Sequence, residues 1–260
     1  MLCIRANALN NIFTKAVGSD LITKNPCIGL EKPKGTQGEL RSLTDYEKNI
    51  FLKVAAKHPK GTMFKMTLKC GLRPGEVRAL DVKNVNIVKH EITVKNAVES
   101  GSKRIKGTKA ENERVVPIPL DYEKELIEIL PEKGLVFPSS VTGNVMTEQN
   151  YKRAWKSFKR LMNIEAGAKL YRNEVIEPVI DEELSPYYLR HTYCTSLAEQ
   201  NIDIRVAQYL MGHRDIKVTA NIYTHVENTK MLNDAKSKIY GNNLGIRKMR
   251  VKNLSKIKDL

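Results

Sequence analysis

Between residues 84 and 118 the hydrophobic rhythm of this chain changes. NVNIVKHEITVKNAV and ERVVPIPL are rich in β-branched residues, as half-buried strands are. Turn signals fall at Lys89-His90 and through the polar segment 99–113, which puts Lys109 near the tip of a hairpin. On either side, apolar residues recur at helical spacing. The expected fold is α+β: mainly α-helical, with a small antiparallel β-sheet.

The helical blocks carry their own punctuation. Thr44 with Glu47 makes a capping box. Ile50, Phe51, Val54 and Ala55 give the following helix one apolar face. Residues 61–70 read as a second helix, stopped by Gly71. Pro74 suits the first position of a short third helix, so Arg73 falls at a helix junction. Beyond the strands, helices are expected over 121–130, 147–163, 186–200, 203–211 and 215–222, with a further amphipathic stretch over 227–239. Tyr151, Trp155, Phe158 and Met162 repeat on one face and read as core, in preference to a base-stacking platform. Residues 168–180 alternate around Arg172-Asn173, and both an inserted hairpin and an ordinary loop fit them.

The two ends differ from the middle. Residues 1–30 look helical as far as Gly18, with Leu2, Leu9, Ile12, Phe13 and Ala16 in one stripe. So short a piece cannot bury that stripe alone. It is expected to be the last part of a helical domain that begins upstream. Residues 31–39 read as a linker, 40–240 as the main domain, and the basic segment 241–260 as a tail.

Lys and Arg number 44 against 29 Asp and Glu, an excess of 15. That balance points to a polyanion, and nucleic acid is the commonest one. No apolar run is long enough to cross a bilayer, and the first residues do not form a signal peptide. Cys3, Cys27, Cys70 and Cys194 are scattered, with no CxxC pair. Reduced thiols and a cytoplasmic setting are expected. His191 and Cys194 stand one helical turn apart, too small a set for zinc. No metal or cofactor is expected.

The chemistry-bearing residues concentrate in LSPYYLRHTYCTSLAEQNIDIRVAQYLMGHRDIKVTANIYTHV (184–226). Arg190, His213 and Tyr223 fall there at the mouths of expected helices, while Arg73 and Lys109 lie upstream. Breaking a phosphodiester without a metal needs a nucleophile, positive charge on the non-bridging oxygens, a proton donor for the leaving oxygen, and placement. Guanidinium forks suit the oxygens. Lysine or histidine suits proton transfer. A tyrosine can be the nucleophile if positive neighbours help it ionise.

GLRPGEVRAL, LSPYYLRHTYCTSLAEQ, YLMGHRDIKVT and NIYTHV resemble, in order and spacing, the signature boxes of the tyrosine recombinase (phage integrase) family, with the look of conjugative-transposon integrases. The resemblance covers about residues 40–240. It implies catalytic roles for Arg73, Lys109, Arg190, His213 and Tyr223, with Glu76 supporting Arg73. One position departs: where the family most often has histidine, three residues before the second arginine, this chain has Tyr187, which can donate a hydrogen bond but carries no positive charge. Lys103, Arg104 and Lys106 are candidate phosphate contacts beside the hairpin.

The resemblance further implies a breaking-and-rejoining catalytic domain behind the end of a helical core-binding domain. It implies a 3′-phosphotyrosyl intermediate and no metal or ATP. It implies double-stranded DNA as partner, a homotetramer on that DNA, and possible help from an excisionase or DNA-bending protein. Integration or excision of a mobile element is the expected role. A decayed integrase that only binds DNA, and a type IB topoisomerase-like enzyme, are the alternatives.

Overall fold

The structure is a computed structural model that describes residues 2–29, 41–99, 101, 104–107 and 113–240, with backbone only for 2–7, 236, 239 and 240. Lys103, Lys109, the expected linker and the expected tail lie outside the described residues. The chain divides into two units, 1–39 and 40–260. In the first, α1 (Leu2–Gly18) is followed by turns. There the buried Asn25 side chain donates to the Asn10 side chain at 3.1 Å and to Thr14 at 3.0 Å.

The second unit opens with α2 (Asp45–Ala55), whose capping box of Thr44 and Glu47 is formed. α3 (Gly61–Cys70) ends at Gly71, which is left-handed with φ 66°. Any side chain there would also strike the Tyr193 ring, since a Cβ would lie 2.3 Å from it. α4 (Pro74–Arg78) begins with proline, and Arg73 is its N-cap. A 3-10 turn leads to β1 (Val85–Asn86), β2 (Glu91–Val94), β3 (Asn96–Val98), β4 (Ile105–Gly107) and β5 (Arg114–Pro117). These form two antiparallel pieces where one sheet was expected: β1-β2-β5, and the pair β3-β4. Ile92 faces Val116 across β2 and β5, and both side chains are fully buried. β3 carries on from β2 after Lys95 but pairs with β4, so the strands bend away from one plane.

α5 (Leu120–Ile127) and α6 (Glu148–Glu165) follow. The aromatic stripe of α6 is core: Trp155 and Phe158 stack at 5.6 Å and meet Phe64 at 5.1 and 5.0 Å. Burying side chains of this size contributes about 1.5–3 kcal/mol each. Residues 169–177 are a hairpin, β6 (Lys169–Tyr171) and β7 (Glu174–Glu177). Arg172 and Asn173 both have positive φ, 45° and 68°, as a two-residue turn matched to strand twist requires. The hairpin, not the loop, is therefore the form adopted.

α7 (Pro186–Glu199), α8 (Ile204–Met211) and α9 (Ile216–Tyr240) complete the unit. Here the expectation of two elements, 215–222 and 227–239, is corrected: α9 is one helix of 25 residues. YTHVEN, at the expected break, holds neither glycine nor proline, and nothing in it stops a helix. Two expected placements change with it. Tyr223 lies inside α9 and Arg190 inside α7, not at helix mouths. α7, α8 and α9 share a small apolar cluster of Tyr193, Cys194, Leu197, Ala207, Met211 and Ile222, apart from the main core.

Candidate active site

The site is built on the end of α8. That helix starts on Asp203, whose side chain caps it, and stops at Gly212, left-handed with φ 62°. The last carbonyls of a helix have no partner within it. Here three successive ones receive arginines. The Leu210 carbonyl accepts from Arg114 Nε at 2.8 Å, the Met211 carbonyl from Arg190 Nη2, and the Gly212 carbonyl from Arg73 Nη2 at 2.6 Å. Cations are also favoured at a helix C-terminus by the aligned peptide dipoles. Thus β5, α7 and the head of α4 converge on one turn of backbone.

Glu76 ties two of the arginines together. It is buried, and accepts from Arg114 Nη1 at 2.9 Å, Arg114 Nη2 at 2.7 Å, Arg73 Nη1 at 2.9 Å and the Arg73 backbone N–H at 2.8 Å. Burial pushes its carboxyl upward, but the Arg114 hydrogen bonds and the charges of Arg114 and Arg73 outweigh that and hold it at about 2. Arg190 is deeper and also donates to the Gly71 carbonyl. Burial, and then the charge of Arg73, lower its guanidinium to about 9, still charged at neutral pH. Arg73 is more open, with its side chain 38% exposed. Each of these two arginines has five N–H donors, and the contacts above occupy two of them.

His213 follows Gly212 directly. Its Nδ1 lies 2.9 Å from the hydroxyl of Thr219, a fully buried residue of α9. Burial, together with the charges of Arg190, Arg73 and Arg114, lowers the imidazole to about 4. The ring is therefore neutral at pH 7. Tyr187 is 55% exposed and lines, with Arg73, a cleft of about 430 Å³.

Tyr223 is the exception to the convergence. Its hydroxyl donates to the Ile202 carbonyl at 2.9 Å, on the connection between α7 and α8. Burial, then Cys194 and Asp203, push the phenol up to about 12. In this form it is a protonated donor occupied elsewhere. Among the described residues the structure thus brings together Arg73, Glu76, Arg190 and His213, sets Tyr187 at the adjoining cleft, and leaves the Tyr223 hydroxyl turned to a carbonyl. Arg104 and Lys106 are exposed at β4.

Sequence reasoning missed Arg114. Its signal was present: in RVVP it shares a strand face with Val116, and successive strand residues point to opposite faces. An arginine on the apolar face of a strand needs a buried partner. Thr219 was missed as well, although it lies one helical turn before Tyr223.

A mainly helical domain with small antiparallel sheets is the fold of tyrosine recombinase catalytic domains. Residues 36–230 match the phage integrase family, and the chain belongs to it. A tyrosine recombinase XerC-like protein of Caldanaerobacter subterraneus is 27% identical over 259 residues, covering 85% of this chain and 61% of that protein. Tyrosine recombinase XerD of Pseudomonas putida is 27% identical over 241 residues, covering 86% of this chain and 70% of its own. The chain thus spans about three fifths of the first relative's length. Among solved structures, the Tn1549 transposon integrase in complex with a circular intermediate DNA superposes with TM-score 0.67 at 20% identity, over 88% of this chain and 77% of that one. XerA recombinase superposes with TM-score 0.53 at 20% identity, over 90% and 74%. At these identities the structural likeness bears on the fold.

Proposed function

We propose that this chain breaks and rejoins DNA strands at specific sites through a 3′-phosphotyrosyl intermediate, in the integration or excision of a mobile element. The supporting observation is that Arg73 and Arg190, 117 residues apart by numbering, donate to adjacent carbonyls of one helix end. Two guanidiniums so held, with donors to spare, form a cradle for the non-bridging oxygens of one phosphate. Tyr223 is the nucleophile. Its phenolic oxygen bonds to phosphorus as the bond to the 5′-oxygen breaks, and that oxygen takes a proton from Lys109. His213, neutral at pH 7, accepts the phenol's proton. Tyr187 donates a hydrogen bond to the phosphate in place of a charged histidine. The ester keeps the energy of the broken bond, so a 5′-hydroxyl from a partner strand can reverse the step without ATP or metal. Double-stranded DNA, neutralised by the basic surface that includes Arg104 and Lys106, is the substrate. A homotetramer on paired sites carries out the exchange, in the cytoplasm, with an accessory excisionase or DNA-bending protein as a candidate helper.

For the phenol to act, it must leave the Ile202 carbonyl and come under the influence of the arginines, which would bring its pKa down from about 12. The test is capture of a nicked suicide substrate. Wild type is expected to give an SDS-resistant protein–DNA adduct, and Tyr223→Phe to bind the same DNA and give none. Persistent capture by Tyr223→Phe would remove Tyr223 from its assigned role. A second reading, a protein that occupies its site without cutting, draws on the Tyr223–Ile202 contact and on the uncharged Tyr187. It predicts a shifted band in native gels and no adduct from wild type.

A further inference from the structure

We infer that Arg114 is a positioning residue of this site: it takes up the Glu76 carboxylate and pins the tip of α8, so that Arg73 and Arg190 are aimed with their positive charge in excess. This rests on the strand-cleavage reading above. Arg114 is only 3% exposed and cannot itself reach a phosphate. What it does reach is the carboxylate beside Arg73 and the first of the three carbonyls at the end of α8. Two of its nitrogens meet both oxygens of Glu76, and the third meets the Leu210 carbonyl.

Charge explains why the pair matters. Glu76 also bonds Arg73, and a carboxylate held by Arg73 alone would cancel the charge meant for the phosphate. A bidentate pair with Arg114 is the stronger claim on that carboxylate. Arg73 is then left with a single side-chain bond to Glu76 and one to the Gly212 carbonyl. Geometry explains the second half. The Leu210, Met211 and Gly212 carbonyls lie on consecutive residues, so a shift of one moves the others. Holding Leu210 from β5 fixes where Arg190 and Arg73 find their acceptors. Gly212 makes room for this: a Cβ there would stand 2.9 Å from Arg114 Nη1 and 3.1 Å from its central carbon. The glycine serves the left-handed helix end and the approach of the guanidinium together.

The test compares Arg114→Lys and Arg114→Met with wild type. Lysine keeps a charge for Glu76 but cannot hold Glu76 and Leu210 together as a fork does. Arg114→Lys is expected to fold, to bind DNA within about twofold of wild type, and to form the covalent adduct about ten to a hundredfold more slowly, the scale of a misplaced reacting group. Arg114→Met should be slower still. Adduct formation by Arg114→Lys at the wild-type rate would overturn the proposal, and so would a loss that follows weaker DNA binding. A second measurement needs no DNA and survives failure of the cleavage reading. In the free protein, titration of His213 by NMR should move upward from about 4 in Arg114→Met, because Arg114 is one of the charges that depress it. The Arg73 Nε–H resonance should shift as well. An unmoved His213 and Arg73 in a folded Arg114→Met protein would overturn the proposal even if wild type cuts no DNA. If wild type forms no adduct but the Arg73 signal moves, the positioning role stands and the strand-cleavage reading fails.

Discussion

Arg73 and Arg190 come from the head of α4 and from α7 and both end on the tip of α8, Arg73 held by the Glu76 carboxylate and the Gly212 carbonyl and Arg190 by the Gly71 and Met211 carbonyls. Tyr223 comes from α9 and is held by one hydrogen bond, in a place where its hydroxyl serves the Ile202 carbonyl. In the proposed reaction, the half that would meet the phosphate's charge is assembled without DNA. The half that would form the covalent bond is not. Electrostatic stabilisation needs fixed donors, since donors that must reorganise give their energy back. A nucleophile has the opposite requirement: held ready at all times, it would cut wherever DNA touched it. In the proposed reaction the difference would separate binding from commitment.

Several changes would break or sharpen that contrast. The largest effect is expected from Arg190→Ala, which removes the deepest donor. Adduct formation should fall by roughly a hundred to a thousandfold, with little change in DNA affinity, measured with nicked DNA and by gel shift. Near wild-type adduct formation would show that the fixed half is not what drives cleavage. Next is Gly212→Ala. It forces a side chain into left-handed backbone, at about 1–2 kcal/mol, and into the Arg114 guanidinium. Urea unfolding should show that loss, and cleavage should fall with it. Thr219→Val keeps the shape of a buried residue and removes the hydroxyl from His213 Nδ1. Cleavage is expected to drop about tenfold, and Thr219→Ser to recover most of it. A silent Thr219→Val would mean that α9 and His213 are not coupled.

The smallest expected effect is on stability against pH. His213 has its folded pKa lowered from 6.5 to about 4, so the unfolded chain binds the proton more tightly. Its contribution is complete above 6.5 and is lost as pH falls through 4. His58 and His191 are lowered too, burial being the first cause for each. Glu76 acts further down, its contribution fading as pH falls below 4.5 toward about 2. The free energy of unfolding should decline steadily from pH 6.5 to 4, and His213→Gln should flatten part of that slope. A slope unchanged by that variant would show that the imidazole is not held neutral by burial and the arginines.

What could be read from the sequence followed from how local each signal is. Thr44 with Glu47, Gly71, Pro74 and the Tyr151–Met162 stripe act within a few residues, and each did as expected. The gathering of Arg73, Glu76, Arg190 and His213 was legible through the order of the boxes. How they gather was not, because the acceptors are backbone carbonyls, and a carbonyl leaves no mark on a sequence. Arg114 hid in a strand that was noticed for its β-branched residues. The length of α9 was misjudged because a helix that continues gives no positive sign of doing so. Alternation alone could not choose between hairpin and loop at 168–180, where positive φ at Arg172 and Asn173 settles the form.

The unbroken run of α9 has a mechanical consequence. Tyr223 sits near one end of a rod, and the backbone continues without interruption to Tyr240, about 25 Å farther on at 1.5 Å per residue. Such a rod has no joint at which to absorb rotation. A tilt that carries the phenol a few ångströms must sweep the distal end through a wider arc, and whatever grips that distal end acts on the phenol as a hand on a lever.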